Sequence, residues 1–346
     1  MTGGWILTVR ADANRTIGHG HLMRTLAVAE AVSDWDDASV RYLVGPGTYV
    51  TPLEERGFQV CPVPAGPPAA WSPDLSPEDG PLLLDSYEIL ETDLDHLRDR
   101  GFAVAMFDDG GRLSVFNAGL VVDGAPGAET RSFQGAADTT FLLGSAYFPV
   151  RRAIRDALTP ADVPERVRRV CVTLGGSDPD DATAIIVDAL AAFGQIPHAT
   201  VVLGASYEGS VTEGHFGAIH VVRNPEDYPR LVAGSDLVIT AAGGSALECA
   251  ALGRPMVTVE LTDDQRNNRR ALEQAGASLS LGELTGLDAA KVCEALTSVC
   301  FDRQLRTRLG ANARTVVDGG GAVRIAGAID SLWQRHSAQR RSAVHD

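Results

Sequence analysis

Short apolar runs separated by amphipathic stretches set the rhythm of this chain. Runs at 5–9, 40–44, 59–62, 82–85, 103–107 and 120–123 have the length of buried strands rather than helices. Between several of them, as at 91–100, apolar residues recur at helical spacing. This alternation predicts a parallel sheet with helices on both faces. The segment 62–81 is rich in Pro, Gly and Ala and reads as an irregular connection. Another apolar run at 141–144 leads into a polar stretch carrying Pro149, Pro160 and Pro164, read as a linker over 151–168. The rhythm then restarts, with strands at 170–174, 200–203, 218–222, 237–240 and 256–260 and a helix at 182–193. Three helical patterns close the chain, near 287–300, 302–317 and 321–335. The expected architecture is α/β, two doubly wound Rossmann-like domains over 1–150 and 169–335 facing a ligand cleft. A frayed tail is expected over 336–346.

Composition narrows the partners. The 346 residues carry a net charge of −15, which disfavours nucleic acid or an anionic membrane as the main partner. The five cysteines are widely spaced and form no Cys-x-x-Cys, as expected of reduced thiols in a cytoplasmic protein. No secretory signal pattern and no apolar run near the ~20 residues of a bilayer span are seen.

The densest chemistry lies at 10–24, Arg-Ala-Asp-Ala-Asn-Arg-Thr-Ile-Gly-His-Gly-His-Leu-Met-Arg, between the first strand and a helix. Ligands of open α/β sheets settle outside the carboxyl ends of the strands, where exposed helix N–H groups favour anions. His21, where the helix begins and near Asp12 and Arg24, is the candidate general base. His19 and His21 have the spacing of a metal pair, but no further ligands stand out and no metal is expected. Asp85 and Tyr87 end one strand and Asp108-Asp109-Gly110 the next; Asp109 is read as a turn residue before glycine.

Two glycine turns mark the second half. Gly175-Gly176-Ser177-Asp178-Pro179 has a plain reading as a strand–helix turn capped by Ser177 or Asp178. Gly243-Gly244-Ser245-x-x-Glu248 fits a Ser-x-x-Glu capping box, or a phosphate at the helix N-terminus with Glu248 on a ribose. Two such turns in one half, followed by Gln265 and Asn267, favour nucleotide binding. Serine-hydrolase, P-loop and dinucleotide fingerprints are absent from the sequence.

The motif Arg10-x-Asp12…Ile17-Gly18-x-Gly20-His21-x-Met23-Arg24 resembles the opening signature of the UDP-diacetamido-trideoxy-altrose hydrolases of pseudaminic acid biosynthesis. These are GT-B-fold relatives of the glycosyltransferase that makes lipid II. The resemblance continues in order through Asp85-Ser-Tyr87, Asp108-Asp109, 142–147, 175–179, 243–248 and Gln265-x-Asn267. It implies catalysis by His21 with Asp12, sugar or acceptor binding by Arg10, Gly20, Arg24, Asp85 and Tyr87, and no metal. It further implies UDP binding by Gly175, Gly176, Ser177, Gly243, Gly244, Ser245, Glu248, Gln265 and Asn267, and cleavage at the anomeric carbon with inversion.

One departure bears on the substrate. The family carries an amide-rich segment after the strand near 120, where this chain has Val122-Asp123-Gly124-Ala125-Pro126-Gly127. That difference turns the expectation toward transfer to a small soluble acceptor such as a nucleobase, with water as the alternative acceptor. Arg10, Arg24 and Arg112 would suit a uronate donor. A nucleotide-sugar sensor that does not need His21, and a UDP-sugar epimerase on the same fold, are the readings from other classes.

Overall fold

The computed structural model describes residues 4–11, 13, 20–158, 163–176 and 178–345, the last three without side-chain detail. Asp12, Ile17, Gly18, His19 and Ser177 therefore lie outside the described residues.

Two compact units are present, Met1–Arg152 with Gly320–Asp346, and Ala153–Gly319. The first is built on strands β1 (Trp5–Ala11), β2 (Ala38–Val44), β3 (Gln59–Pro62), β4 (Leu82–Asp85), β5 (Val104–Phe107), β6 (Leu120–Asp123) and β7 (Thr140–Leu143). All pair in parallel in the order β3-β2-β1-β4-β5-β6-β7. β4, β5 and β6 are buried along their whole length, which is why they read as continuous apolar runs.

The second unit holds β8 (Arg169–Thr173), β9 (His198–Leu203), β10 (Gly214–Phe216), β11 (Ile219–Arg223), β12 (Leu237–Ala241), β13 (Met256–Glu260) and β14 (Leu279–Glu283). Their order is β10-β11-β9-β8-β12-β13-β14, parallel except for the β10–β11 hairpin. The chain reverses its winding between β1 and β4 in one sheet and between β8 and β12 in the other. Those are the crevices where open α/β sheets receive ligands. β10 and β14 are edge strands that the apolar pattern does not reveal.

The domain boundaries differ from the sequence reading. The helical pattern at 321–335 belongs to the first unit, not the second. The last helix, Gly321–His345, lays Ala322, Ile325, Ala326, Ile329 and Leu332 into the same core as Trp5, Leu7, Leu26 and Val122. Those five positions form one stripe at helical period, and the first sheet would leave a face uncovered without them. The tail expected to fray continues the helix instead. His336 Nε2 lies 2.9 Å from the Gly101 carbonyl oxygen, and Arg340 pairs with Glu78 at 3.0 Å. The chain crosses between units after Arg152, within the stretch read as the linker; the Arg152 guanidinium reaches the Glu30 carbonyl on the helix Gly20–Val32 and Asp34 just beyond it. The connection at 62–81 contains a short helix, Pro68–Trp71.

The segment after the undescribed residues 159–162 is held onto the second unit by buried Arg306. Its guanidinium donates to the carbonyls of Val299 and Cys300, at the end of the helix Ala289–Phe301, and to those of Pro164 and Glu165. A cation at a helix C-terminus satisfies carbonyls that have no partner within the helix. Among the described residues no helix is long and apolar enough to cross a membrane.

Candidate functional site

In the first unit the site forms at the β1/β4 switch. His21 is the second residue of the helix Gly20–Val32, so the helix start fixes where its imidazole projects. Its Nδ1 lies 2.5 Å from Asp85 Oδ1, at the carboxyl end of β4. A carboxylate accepts only, so Nδ1 carries the proton and Nε2 is left as the basic nitrogen. Both partners are buried, His21 at 5% and Asp85 at 1% exposure.

Arg24, one turn further along the helix, ties two strand ends together. Nε and Nη2 donate to the Asp85 carboxylate, each at 2.6 Å. Nη1 and Nη2 donate to Asp109, at 2.6 and 3.0 Å. The guanidinium also lies 4.8 Å from the centroid of the Phe107 ring. Arg24 thus clamps the two carboxylates, Asp85 and Asp109, to the start of the helix. Burial opposes the charge on Arg24, but Asp85 and Asp109 outweigh that and hold the guanidinium firmly protonated. Burial likewise pushes the Asp109 carboxyl up, and the charge and hydrogen bonds of Arg24 outweigh it, so the group sits below the usual carboxylate range.

Tyr87 is half exposed and donates to Asp109 at 3.1 Å, its ring meeting that of His21 edge-on at 4.5 Å. Burial, then Asp109, pushes its hydroxyl up to about 12, so it stays a neutral donor. Arg10 is buried, with Nη1 on the Ala11 carbonyl at 3.4 Å. Gly20 opens the helix, and a side chain there would meet nothing within 4 Å, so space does not require glycine at this position.

The two adjacent aspartates exchange the roles expected of them. Asp108 closes the turn, accepting from the N–H groups of Gly111 at 2.5 Å and Arg112 at 3.2 Å. Asp109 reaches the site. The 122–127 loop is anchored by Asp123, which accepts from Gly110 N–H, Ala125 N–H and Arg131. Arg112 donates to the carbonyls of Ser86 and Tyr87 and so braces the loop that carries Tyr87.

In the second unit the two glycine turns flank the β8/β12 switch. They prove unlike each other. Asp178 receives the N–H groups of Ala182 and Thr183 and the Thr183 hydroxyl, so a carboxylate already occupies the start of the helix Ala182–Phe193. Gly175 adopts φ +95°, a conformation that favours glycine. Gly204, beyond β9, packs so closely on this turn that a Cβ would stand 2.2 Å from the Gly176 carbonyl oxygen. Gly204→Ala is accordingly expected to displace the turn and cost about 1–3 kcal/mol of stability, read by circular dichroism on denaturation. An unchanged midpoint would show that the turn yields freely.

The helix Gly244–Ala251 has no such plug. Its N-cap is Gly243, with no side-chain cap. Ser245 is therefore the second helical residue, and the capping-box explanation of Ser245 and Glu248 fails. Ala246 N–H donates to the Gly243 carbonyl at 3.1 Å, and among the described residues no side chain caps the turn, the kind of helix start that favours an anion. Glu248 is buried one turn further on, at 8% exposure. The Gln265 amide lies against this turn, its Nε2 3.5 Å from where a Gly243 Cβ would be, and its Oε1 accepts from Leu261 N–H at 3.1 Å. Asn267 is exposed on the helix Arg266–Gln274.

Sequence reasoning missed Glu260, buried at the end of β13 and clamped by Arg266 at 3.1 Å and Arg269 at 2.7 Å. The signal was present: a strand-end carboxylate followed by two arginines one helical turn apart.

A crystal structure of Acinetobacter baumannii MurG superposes over 95% of this chain and 99% of its own, with a TM-score of 0.62 at 16% identity. The fold is GT-B. Within that GT-B frame, residues 194–317 match the glycosyltransferase family 28 C-terminal domain. The chain is 22% identical over 242 residues to the spore coat polysaccharide biosynthesis protein SpsG of Bacillus subtilis, covering 67% of this chain and 70% of that one. It is 31% identical over 205 residues to the UDP-N-acetylglucosamine–N-acetylmuramyl-(pentapeptide) pyrophosphoryl-undecaprenol N-acetylglucosamine transferase of Salinibacter ruber, over 54% of each. With some of the curated relatives it matches, the shared region is only about half the relative's length.

Proposed function

We propose that this GT-B chain is an enzyme that opens the anomeric C–O bond of a UDP-sugar with inversion and passes the glycosyl group to a small soluble acceptor. The observation that carries this reading is the buried His21–Asp85 pair, which leaves Nε2 as a base at a ligand crevice. In the reaction Nε2 accepts the proton of the incoming acceptor as it attacks the anomeric carbon. Asp85 stabilises the imidazolium and Arg24 holds Asp85. Asp12 would assist His21. The uncapped start of the helix Gly244–Ala251 receives the departing diphosphate, with Gly175, Gly176 and Ser177 alongside. Glu248 takes the ribose hydroxyls, and Gln265 and Asn267 contribute to holding the UDP. No cofactor or metal enters the proposal.

Transfer is supported by the family 28 match and by the transferase named among the relatives. A spinosyn rhamnosyltransferase of the same fold is known with thymidine diphosphate and with its aglycone, which fits a nucleotide-sugar donor and a small acceptor. Nucleobases are acceptors to test, and a uronate is a donor to test. Because Arg24 is neutralised and Arg10 buried, Arg112 is the arginine of the three that suits an anionic sugar. Water is the second reading, favoured by the Arg10–Arg24 signature shared with the UDP-sugar hydrolases.

Mass spectrometry of products from a panel of UDP-sugars, with and without pooled acceptors, tests both. UDP and a heavier glycoside only with acceptor supports transfer; free reducing sugar without acceptor establishes hydrolysis; no UDP release refutes the enzyme reading. Glu248→Ala is expected to weaken UDP binding by about 1–3 kcal/mol, the scale of hydrogen bonds to a charged group. Titration calorimetry giving the wild-type affinity would remove Glu248 from the site.

A further inference from the structure

Outside the candidate site, the β10–β11 hairpin carries a pair of histidines that nothing in the proposed reaction uses. The strands are antiparallel, with Phe216 opposite Ile219 and His215 directly opposite His220. Only Gly217 and Ala218 separate the strands, and Gly217 adopts φ +64°. In a hairpin closed by a two-residue turn, the flanking pair exchanges hydrogen bonds and the next pair does not. Side chains approach most closely at that second pair. His215 and His220 occupy it. Their rings stack with centroids 3.9 Å apart and planes within 4° of parallel. His215 is exposed and His220 half-buried, so solvent reaches both. The pair borders a surface cavity of about 340 Å³, also lined by His198 and Thr200.

We infer that His215 and His220 form a two-imidazole site for a divalent transition-metal ion. Imidazole nitrogens bind such ions at about 2 Å, so two ligands of one ion stand roughly 3 Å apart. As stacked, the two rings direct their in-plane lone pairs parallel to each other, so binding one ion requires both rings to rotate about their side-chain torsions, which a directly opposed cross-strand pair allows without moving the backbone. The hairpin already fixes both Cβ positions, so little ordering remains to oppose binding. Among the described residues no group of three or more His, Cys, Asp or Glu is placed to hold a metal together, so water completes the coordination. Neutral imidazoles with open positions suit Cu²⁺, Ni²⁺ and Zn²⁺ rather than Mg²⁺ or Ca²⁺, and Cu²⁺ most strongly. A bound ion would tie the outermost strand of the second sheet to its neighbour.

Cu²⁺ added to the tag-free full chain tests this by equilibrium dialysis and electron paramagnetic resonance. One ion per chain with coupling to two imidazole nitrogens is expected. His215→Ala and His220→Ala should each weaken binding at least tenfold, while His198→Ala keeps it within about threefold. Each variant's melting curve without metal should match the wild type, which separates lost ligands from lost folding. Wild-type affinity retained in the His215→Ala/His220→Ala double variant would overturn the inference. So would loss confined to His198→Ala.

Discussion

His21→Ala is expected to lower turnover about 10²–10⁴-fold while leaving UDP affinity nearly unchanged, the loss typical of a general base. The split follows from the topology. His21 stands at the β1/β4 switch, whereas the glycine turns proposed to hold UDP flank the β8/β12 switch. Asp85→Asn should lower turnover through the same atom. An amide is able to donate to Nδ1, which favours the tautomer whose proton sits on Nε2, where no base remains. Because Arg24 donates to the same carboxylate, part of the Asp85→Asn effect will come from loosening the clamp. Steady-state rates with saturating donor, beside calorimetric UDP affinities, check both variants. Turnover within threefold of wild type for His21→Ala would return the histidine to a structural role and favour a nucleotide-sugar sensor.

Arg24→Met should produce the largest loss of stability. The guanidinium is the charged partner of Asp85, which is 1% exposed, and removing one member of a buried pair typically costs about 3–5 kcal/mol. The Asp109 arm is more solvated and contributes less. The pH dependence has a definite sign. The Asp109 carboxyl is lowered in the folded protein, so its contribution is present above the unfolded value of about 4 and fades as pH falls through the folded one. The gap between wild type and Arg24→Met should therefore narrow in strong acid. Tryptophan fluorescence isolates the effect, since Trp5, Trp35, Trp71 and Trp333 all belong to the first unit. Denaturant midpoints at pH 7 and pH 3 give the comparison. A difference below about 1 kcal/mol at pH 7 would mean that solvent or another group replaces the clamp.

The sequence by itself determined the α/β class, the two parallel sheets and most of their strands. Strands buried on both faces are predominantly apolar, so β4, β5, β6, β12 and β13 announce themselves as short apolar runs, with carboxylates such as Asp85, Asp123 and Glu260 only at their ends. The switch-point turns were legible for a related reason. Glycines and a helix start recur wherever a strand hands over to a helix, and His21 and Asp85 occupy such ends. β10 (Gly-His-Phe) and β14 (Leu-Ser-Leu-Gly-Glu) lack this signal because glycine and polar residues at partly exposed positions interrupt them. Only the tertiary structure decided which carboxylate meets which cation. Asp108 and Asp109 are adjacent and chemically identical, and the pleat sends one to its own turn and the other to Arg24. Asp178 and Ser245 look like equivalent caps in one dimension; helix phase makes Asp178 a plug and leaves Ser245 inside its helix. The amphipathic stripe at 322–332 predicted a helix but not its partner, since any apolar face of matching width satisfies the pattern. Long-range packing alone returned that helix to the sheet that begins at Trp5.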